Sequence, residues 1–132
     1  MDDADRNVLH EILGRGEGFG HRQHLELAWR YLAMHDAETA AEAVAAAIRQ
    51  VAAAHRQESK FHVTITRSWV QCVAVHRQRW PADTFADFLD ENSQLLDPDL
   101  LGHFYSPQLL GSPAARDHWV TPDRHELPAL AR

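Results

Sequence analysis

Apolar side chains recur every three or four residues along the first two thirds of the chain, which is the spacing of one face of an α-helix. A short amphipathic segment at residues 4–13 comes first, and Gly14, Gly16 and Gly18 end it in a flexible connector. Four longer segments of this kind follow, at about residues 20–35, 37–55, 60–79 and 82–92. No segment shows the strict alternation of a half-buried strand. The pattern predicts an all-α fold, a small helical bundle of about four main helices.

Local signals place several helix ends. Asp36 is positioned to cap the alanine-rich second helix, and Ser59 to cap the third. Pro81 is expected in the first turn of the fourth helix, where its missing N–H costs nothing. After residue 92 the chain becomes irregular. Serine followed by proline, at residues 106–107 and 112–113, is a start signal for short helices, which we expect at about 98–104, 107–110 and 113–118.

The pattern predicts a single domain over residues 1–132, because a chain of 132 residues suits one core. We divide it into an N-terminal helix with its glycine-rich connector at 1–18, a helical core at 19–92, and an irregular C-terminal wrap at 93–132. The tail from Val120 carries Pro122 and Pro128, so we expect it to lie extended over the surface.

Charge and composition exclude several functional classes. The chain has 13 lysines and arginines against 19 acidic residues, a net charge of -6, and its basic residues are scattered, which argues against a nucleic-acid partner. No apolar run approaches the roughly 18 residues of a membrane span. The start of the chain is acidic, unlike a secretory signal, so we expect a cytoplasmic protein without membrane contact. The lone Cys72 has no partner for an internal disulfide.

Ten histidines are unusual for this length, and their positions form a pattern. His21 and His24 fall on the apolar arc of the first main helix, and His62 falls on that of the third. Helices joined by short connections run antiparallel, so the first and third should be parallel. These three histidines, with His55 at the end of the second helix, should therefore meet at one end of the bundle. His35 belongs to the other end.

A His-x-x-His pair joined by a third imidazole can form an open metal site. The predicted metal ligands are therefore His21, His24 and His62, and the ion would be a transition metal such as zinc, copper or iron. Glu26 is expected on the opposite face, so no inward carboxylate is available for a di-iron site. His55 and Thr66 are the predicted catalytic residues, His55 as an acid or base and Thr66 as a group that orients His62 or contacts a substrate. Without a metal, the same imidazoles could transfer protons.

A structural role for the histidines stays open, because inward imidazoles at bundle ends often bond to backbone carbonyls. Two functions therefore remain. The first is a metal-dependent or histidine acid/base enzyme acting on a small molecule. The second is a non-catalytic helical module that binds a small ligand or a partner protein. The aromatic residues Trp29, Tyr31 and Trp69 could wall a pocket in either case. The sequence leaves open whether the protein is an enzyme.

Two separated motifs also carry a family resemblance. They are Phe19-x-His21-x-x-His24-Leu25-x-x-Ala28-Trp29 and Lys60-Phe61-His62-x-Thr64-Ile65-Thr66-x-x-Trp69. With matching positions further along, the chain resembles over about residues 19–122 a family of small bacterial helical proteins that carries no assigned activity. The resemblance implies a recurring helical architecture, and it implies no cofactor or catalytic residue. The family pattern often has tyrosine where this chain has Phe61.

Overall fold

The computed structural model describes residues 2–131 and confirms the all-α prediction, because no β-strand occurs within that range. The α-helices are α1 (Asp3–Gly14), α2 (His21–Tyr31), α3 (Ala37–Ala54), α4 (Val63–Arg79), α5 (Phe85–Glu91), α6 (Pro107–Leu110) and α7 (Pro113–Asp117). Turns of 3₁₀-helix lie at Glu58–Lys60, Ser93–Leu96 and Leu100–His103. The predicted domain also includes Met1 and Arg132, which lie outside the described residues.

The centre of the bundle is a three-helix unit in which α2, α3 and α4 pack against one another. Helix α1 packs on α2 and α3, α5 packs on α2, and α7 packs on α4. The core is formed by the large apolar residues of these helices, including Leu9, Ile12, Leu25, Leu27, Val44, Val73 and Phe88, all of which are fully buried. The small alanines Ala40 and Ala47 are also fully buried, so α3 can approach its neighbours closely.

The predicted helix caps are mostly confirmed. Asp36 accepts a hydrogen bond from the backbone N of Thr39 at 2.8 Å. Ser106 and Ser112 cap α6 and α7 in the same way, as their proline at the first helical position predicts. The fourth helix was predicted from residue 82, but it begins at Phe85 because the Thr84 hydroxyl caps it. The first main helix ends at Tyr31, and a turn carries the chain on to residue 35.

The prediction of no inward carboxylate is wrong. Glu26 is only 8% exposed and Asp5 only 4% exposed. The connector after α1 brings Arg15 over α2, where its guanidinium lies 2.7 Å from the Glu26 carboxylate. Arg30 lies at 4.0 Å from the same carboxylate. The part of the polar face of α2 around Glu26 is therefore covered by α1 and its connector, whereas Arg22 on the same face is exposed.

The tail from Val120 to residue 131 forms neither helix nor strand, bends at residues 123–125 and runs along α4. Gln71 donates its side-chain N–H to the backbone oxygen of Pro128 at 2.9 Å. Further along α4, Gln78 pairs with the backbone of Ala131. Amide side chains of one helix thus fix the position of the last described residues.

Between residues 2 and 131, no helix is both long enough and apolar enough to cross a membrane.

Candidate functional site

His21 lies at the first position of α2 and is partly buried. It donates its Nε2–H to the backbone oxygen of Leu95 at 2.8 Å. Its ring meets the ring of Trp69 on α4 edge to face, with 4.4 Å between the centroids. His21 therefore joins α2 to α4 and to the 3₁₀ turn that contains Leu95.

His24 follows His21 by one turn and differs from it in having no partner for Nε2. That nitrogen is inaccessible to solvent, and no hydrogen-bond partner for it exists among residues 2–131. Burial lowers the pKa of His24 to about 4, and the nearby His21 lowers it further. The ring is therefore neutral at neutral pH.

His62 was predicted within a helix, but it lies just before α4 and caps it. Its backbone is extended, and its Nδ1 accepts a hydrogen bond from the backbone N of Ile65 at 3.1 Å. Because Nδ1 accepts, the proton lies on Nε2, which donates to the backbone oxygen of Leu110 at 2.7 Å. The cap predicted at Ser59 is wrong, because His62 makes the cap three residues later. Both nitrogens of His62 are committed to the backbone.

We expect His62→Ala to lower the free energy of unfolding by about 2 kcal/mol, because it removes the cap and the bond to Leu110. His62→Asn keeps a good capping side chain and should recover about half of that loss. Urea denaturation of the three proteins measures the difference. Equal stabilities of His62→Ala and His62→Asn would show that capping is not the role of this ring.

The two predicted catalytic residues, His55 and Thr66, have different surroundings. His55 is exposed at the end of α3 and donates Nδ1–H to the backbone oxygen of Val51 in its own helix, at 2.9 Å. Thr66 is buried within α4, only 4% exposed. The predicted ligands His21, His24 and His62 do not place three ligand atoms within 4.8 Å of one another in the described chain. A metal at these three residues stays a prediction.

One metal-compatible group occurs among the described residues, at the opposite end of α2. Asp2, Asp5 and His35 each place one ligand atom within 4.8 Å of the others. His35 Nε2 lies 2.8 Å from the Asp5 carboxylate, and Asp2 caps α1 by accepting from the Asp5 backbone N. Tyr31 donates its hydroxyl to the Asp5 backbone oxygen at 2.8 Å. The sequence signal was the acidic pair three residues apart at a helix start, with Tyr31 at the end of α2 and His35 four residues later.

A wide cleft lies between α3, α4 and the tail, and we call it the tail cleft. Its volume is about 740 Å³. It is lined by Ala37, Glu38, Ala41, Arg67, Val70, Gln71, Trp119, Thr121, Pro122, Glu126, Leu127, Pro128 and Ala129. Alanines of α3 form one wall, so their small side chains leave space that larger residues would fill. The sequence analysis missed this cleft.

Three charged side chains line the tail cleft, one on each wall. The Arg67 guanidinium of α4 lies over the Trp119 ring, 5.6 Å from its centroid. Glu38 belongs to α3 and Glu126 to the tail. Within the described part of the chain, none of the three has an ion-pair partner within 4.0 Å. Among the described residues, the cleft therefore has one cation and two carboxylates without ion-pair partners.

Two smaller clefts continue the tail cleft along the groove between α3 and α4. One, of about 210 Å³, shares Ala41 and Arg67 with it and ends where Arg49 lies over the Phe61 ring. The other, of about 270 Å³, shares Ala37 and extends to His35. None of these three clefts is lined by the predicted metal ligands.

The buried groups that could act as nucleophiles are held in their protonated forms. Burial raises the pKa of the Cys72 thiol to about 12. Burial also raises the pKa of Tyr31, and the carboxylate of Asp5 adds to that shift. The pKa of Tyr105 is raised as well, because its hydroxyl is buried. None of these groups is an activated nucleophile at neutral pH.

No protein-family model, no curated protein and no solved structure matches the chain. The resemblance to a family of small bacterial helical proteins therefore stays a prediction.

Proposed function

We propose that the protein is a non-catalytic binding module that holds a small zwitterionic organic molecule, such as an apolar amino acid, in the tail cleft. The observation that carries the proposal is the set of unpaired charges of both signs around one cleft, with Arg67 on one wall and Glu38 and Glu126 on the others. A volume of about 740 Å³ falls in the range typical of small-molecule sites.

Each wall supplies a different contact to such a ligand. The planar guanidinium of Arg67 suits a carboxylate, which it can bind through two parallel hydrogen bonds. The carboxylates of Glu38 and Glu126 suit an ammonium group. Trp119 and Leu127 offer apolar surface to the rest of the molecule. A ligand with only a carboxylate would leave Glu38 and Glu126 without a partner. A ligand with only an ammonium group would leave Arg67 without one.

The chemistry of the lining favours binding over catalysis. Among the described residues that line the tail cleft there is no histidine, cysteine, serine or tyrosine. Three of the four histidines that the sequence assigned to catalysis or metal binding donate hydrogen bonds to backbone oxygens, namely His21, His55 and His62. These bonds support the interpretation in which the histidines stabilise the fold.

The proposal is tested by titrating ¹⁵N-labelled protein with L-phenylalanine and following amide shifts at residues that line the tail cleft. We expect saturable shifts at Trp119 and Glu126, and weaker binding of phenylacetate and phenethylamine, which carry one charge each. Arg67→Met keeps the apolar stem and removes the charge, so it should weaken binding about 10- to 100-fold. Arg79→Met, an exposed arginine of the same helix, is the matched control.

Two results would contradict the proposal. One is the absence of saturable shifts around the cleft with all three compounds. The other is equal binding by the wild type and the Arg67→Met protein.

A further inference from the structure

Two glutamines of α4 bind the backbone of the tail as if it were a separate peptide. Gln71 donates to the backbone oxygen of Pro128 at 2.9 Å. Gln78 donates to the backbone oxygen of Ala131 at 3.0 Å and accepts from its backbone N at 2.7 Å. The second contact is a closed pair of hydrogen bonds between a side-chain amide and a peptide group. We call Gln71 and Gln78 the glutamine pair.

The spacing of the glutamine pair matches an extended chain. Residues 71 and 78 are two helical turns apart, about 10.5 Å along the axis of α4. The carbonyls of residues 128 and 131 are three residues apart, about 10 Å in an extended chain. Because the two distances agree, an extended segment that runs parallel to α4 presents a carbonyl to each glutamine without distortion. The match depends on backbone geometry, so it holds for any extended segment.

Side-chain selectivity comes from the groove beside the glutamine pair, which consists of the tail cleft and the neighbouring cleft of about 270 Å³. Leu127 lines the tail cleft, and Leu130 lines the neighbouring cleft of about 270 Å³. The ring of Pro128 fixes φ at a value that an extended chain accepts, and it disfavours a helix at the residue before it. Proline also lacks an N–H, and Gln71 uses only its carbonyl. The pattern Leu-Pro-x-Leu therefore fits the groove with little ordering cost.

The end of the tail is held weakly enough to leave. Leu130 is 40% exposed, so it buries only part of its apolar surface. The last firm anchor before the segment is Arg124, whose backbone N donates to the oxygen of Phe104 at 2.9 Å and whose guanidinium donates to the oxygen of Gly102 at 2.9 Å. Residues 125–131 can therefore detach while the rest of the C-terminal wrap keeps its contacts.

We propose that the glutamine pair and its groove form a binding surface for an extended Leu-Pro-x-Leu segment of a partner protein, and that the chain's own residues 125–131 occupy this surface until that segment displaces them. The tail is thus a built-in competitor. A tethered segment acts at an effective concentration on the order of millimolar, so a partner must bind more tightly than the tail to replace it. Release of the tail would also remove Glu126 and Leu127 from the wall of the tail cleft, so partner binding should weaken the small-molecule site proposed above. The peptide test uses no small ligand, so the two proposals can fail separately.

The test uses full-length chains and a fluorescent synthetic peptide with the sequence of residues 125–131. In the variant Leu127→Ser/Leu130→Ser the tail keeps its length but loses its apolar contacts. We expect this variant to bind the peptide at least 10-fold more tightly than the wild type does, as measured by fluorescence anisotropy. Adding Gln71→Leu and Gln78→Leu to that variant should abolish the binding. Adding the exposed Gln50→Leu instead is the matched control and should leave the binding unchanged.

Three results would overturn the proposal. The first is failure of the peptide to saturate the tail-weakened variant at millimolar concentration, and the second is equally tight binding after the loss of the glutamine pair. The third is the formation of concentration-dependent dimers by the wild-type chain through its tail, since the occupant would then be a second copy. In the proteins that keep Gln78, amide hydrogen exchange at Ala131 shows whether the tail is released, because that N–H is bonded to Gln78 in the docked state. Urea denaturation shows whether the variant that carries Gln78→Leu is folded.

Discussion

Acidification from pH 6.5 to pH 4 is expected to lower the free energy of unfolding by about 3 kcal/mol through His24 alone. The ring titrates at the ordinary 6.5 when the chain is unfolded and at about 4 when it is folded. Between these two values the unfolded state binds the extra proton and the folded state does not. The contribution of His24 is therefore fully present above pH 6.5 and is lost as the pH falls towards 4.

The measurement is urea denaturation at a series of pH values for the wild type and His24→Leu. Leucine has a similar volume and removes the buried nitrogen that has no partner, so the variant should lose the His24 part of the pH slope. At pH 7 it should also be about 1 kcal/mol more stable than the wild type. His10→Leu replaces an exposed histidine and is the control, with the slope of the wild type. A full slope in the His24→Leu protein would refute the assignment.

The helices were predictable because their signals are local. The alanine-rich segment of α3 and its cap at Asp36 depend only on residues within one turn of each other. The same is true of Ser106 and Ser112, which cap their helices as predicted. The start of α4 was missed because a residue outside the usual capping set makes the cap. His62 caps α4 with a ring nitrogen, and a sequence pattern cannot distinguish that imidazole from one inside the helix.

Burial of charged residues could not be predicted in the same way. The polar arc of α2 indicates which face avoids the core, and it holds no information on whether another segment covers that face. Glu26 is buried because the connector brings Arg15 onto it. Three glycines in the connector predicted flexibility, yet Gly16 and Gly18 have φ of 73° and 79°, so they allow a defined turn. The burial of Glu26 therefore follows from a tertiary contact, which the periodicity of α2 cannot predict.

The candidate site lies elsewhere than the histidine pattern predicted for a related reason. Helix order and spacing place His21 and His62 towards one end, but the contacts of each ring depend on which backbone carbonyls are near. Leu95 and Leu110 supply those carbonyls, and they are 74 and 48 residues away from their histidines. One wall of the tail cleft is the tail, whose position is fixed by a few hydrogen bonds from side chains of α4. Such contacts leave no periodic trace in the sequence.

We expect Thr64→Val to destabilise the protein by about 2 kcal/mol and to weaken binding in the tail cleft. Thr64 is fully buried at the start of α4. Its hydroxyl donates to the backbone oxygen of His118 at 2.8 Å and accepts from the backbone N of Val120 at 3.2 Å. Valine has the same shape and offers neither bond. Urea denaturation gives the loss of stability, and the phenylalanine titration gives the loss of binding.

Binding should weaken because Thr64 holds the backbone on both sides of Trp119. That ring lies over Arg67 at the edge of the tail cleft, and it can leave this position once its two flanking residues are released. Thr66→Val is the matched control, since Thr66 is also buried in α4 and the bonds to His118 and Val120 come from Thr64 instead. The control should change stability much less and leave binding intact. Equal losses in the two valine variants would mean that the tail holds Trp119 in place without the Thr64 hydroxyl.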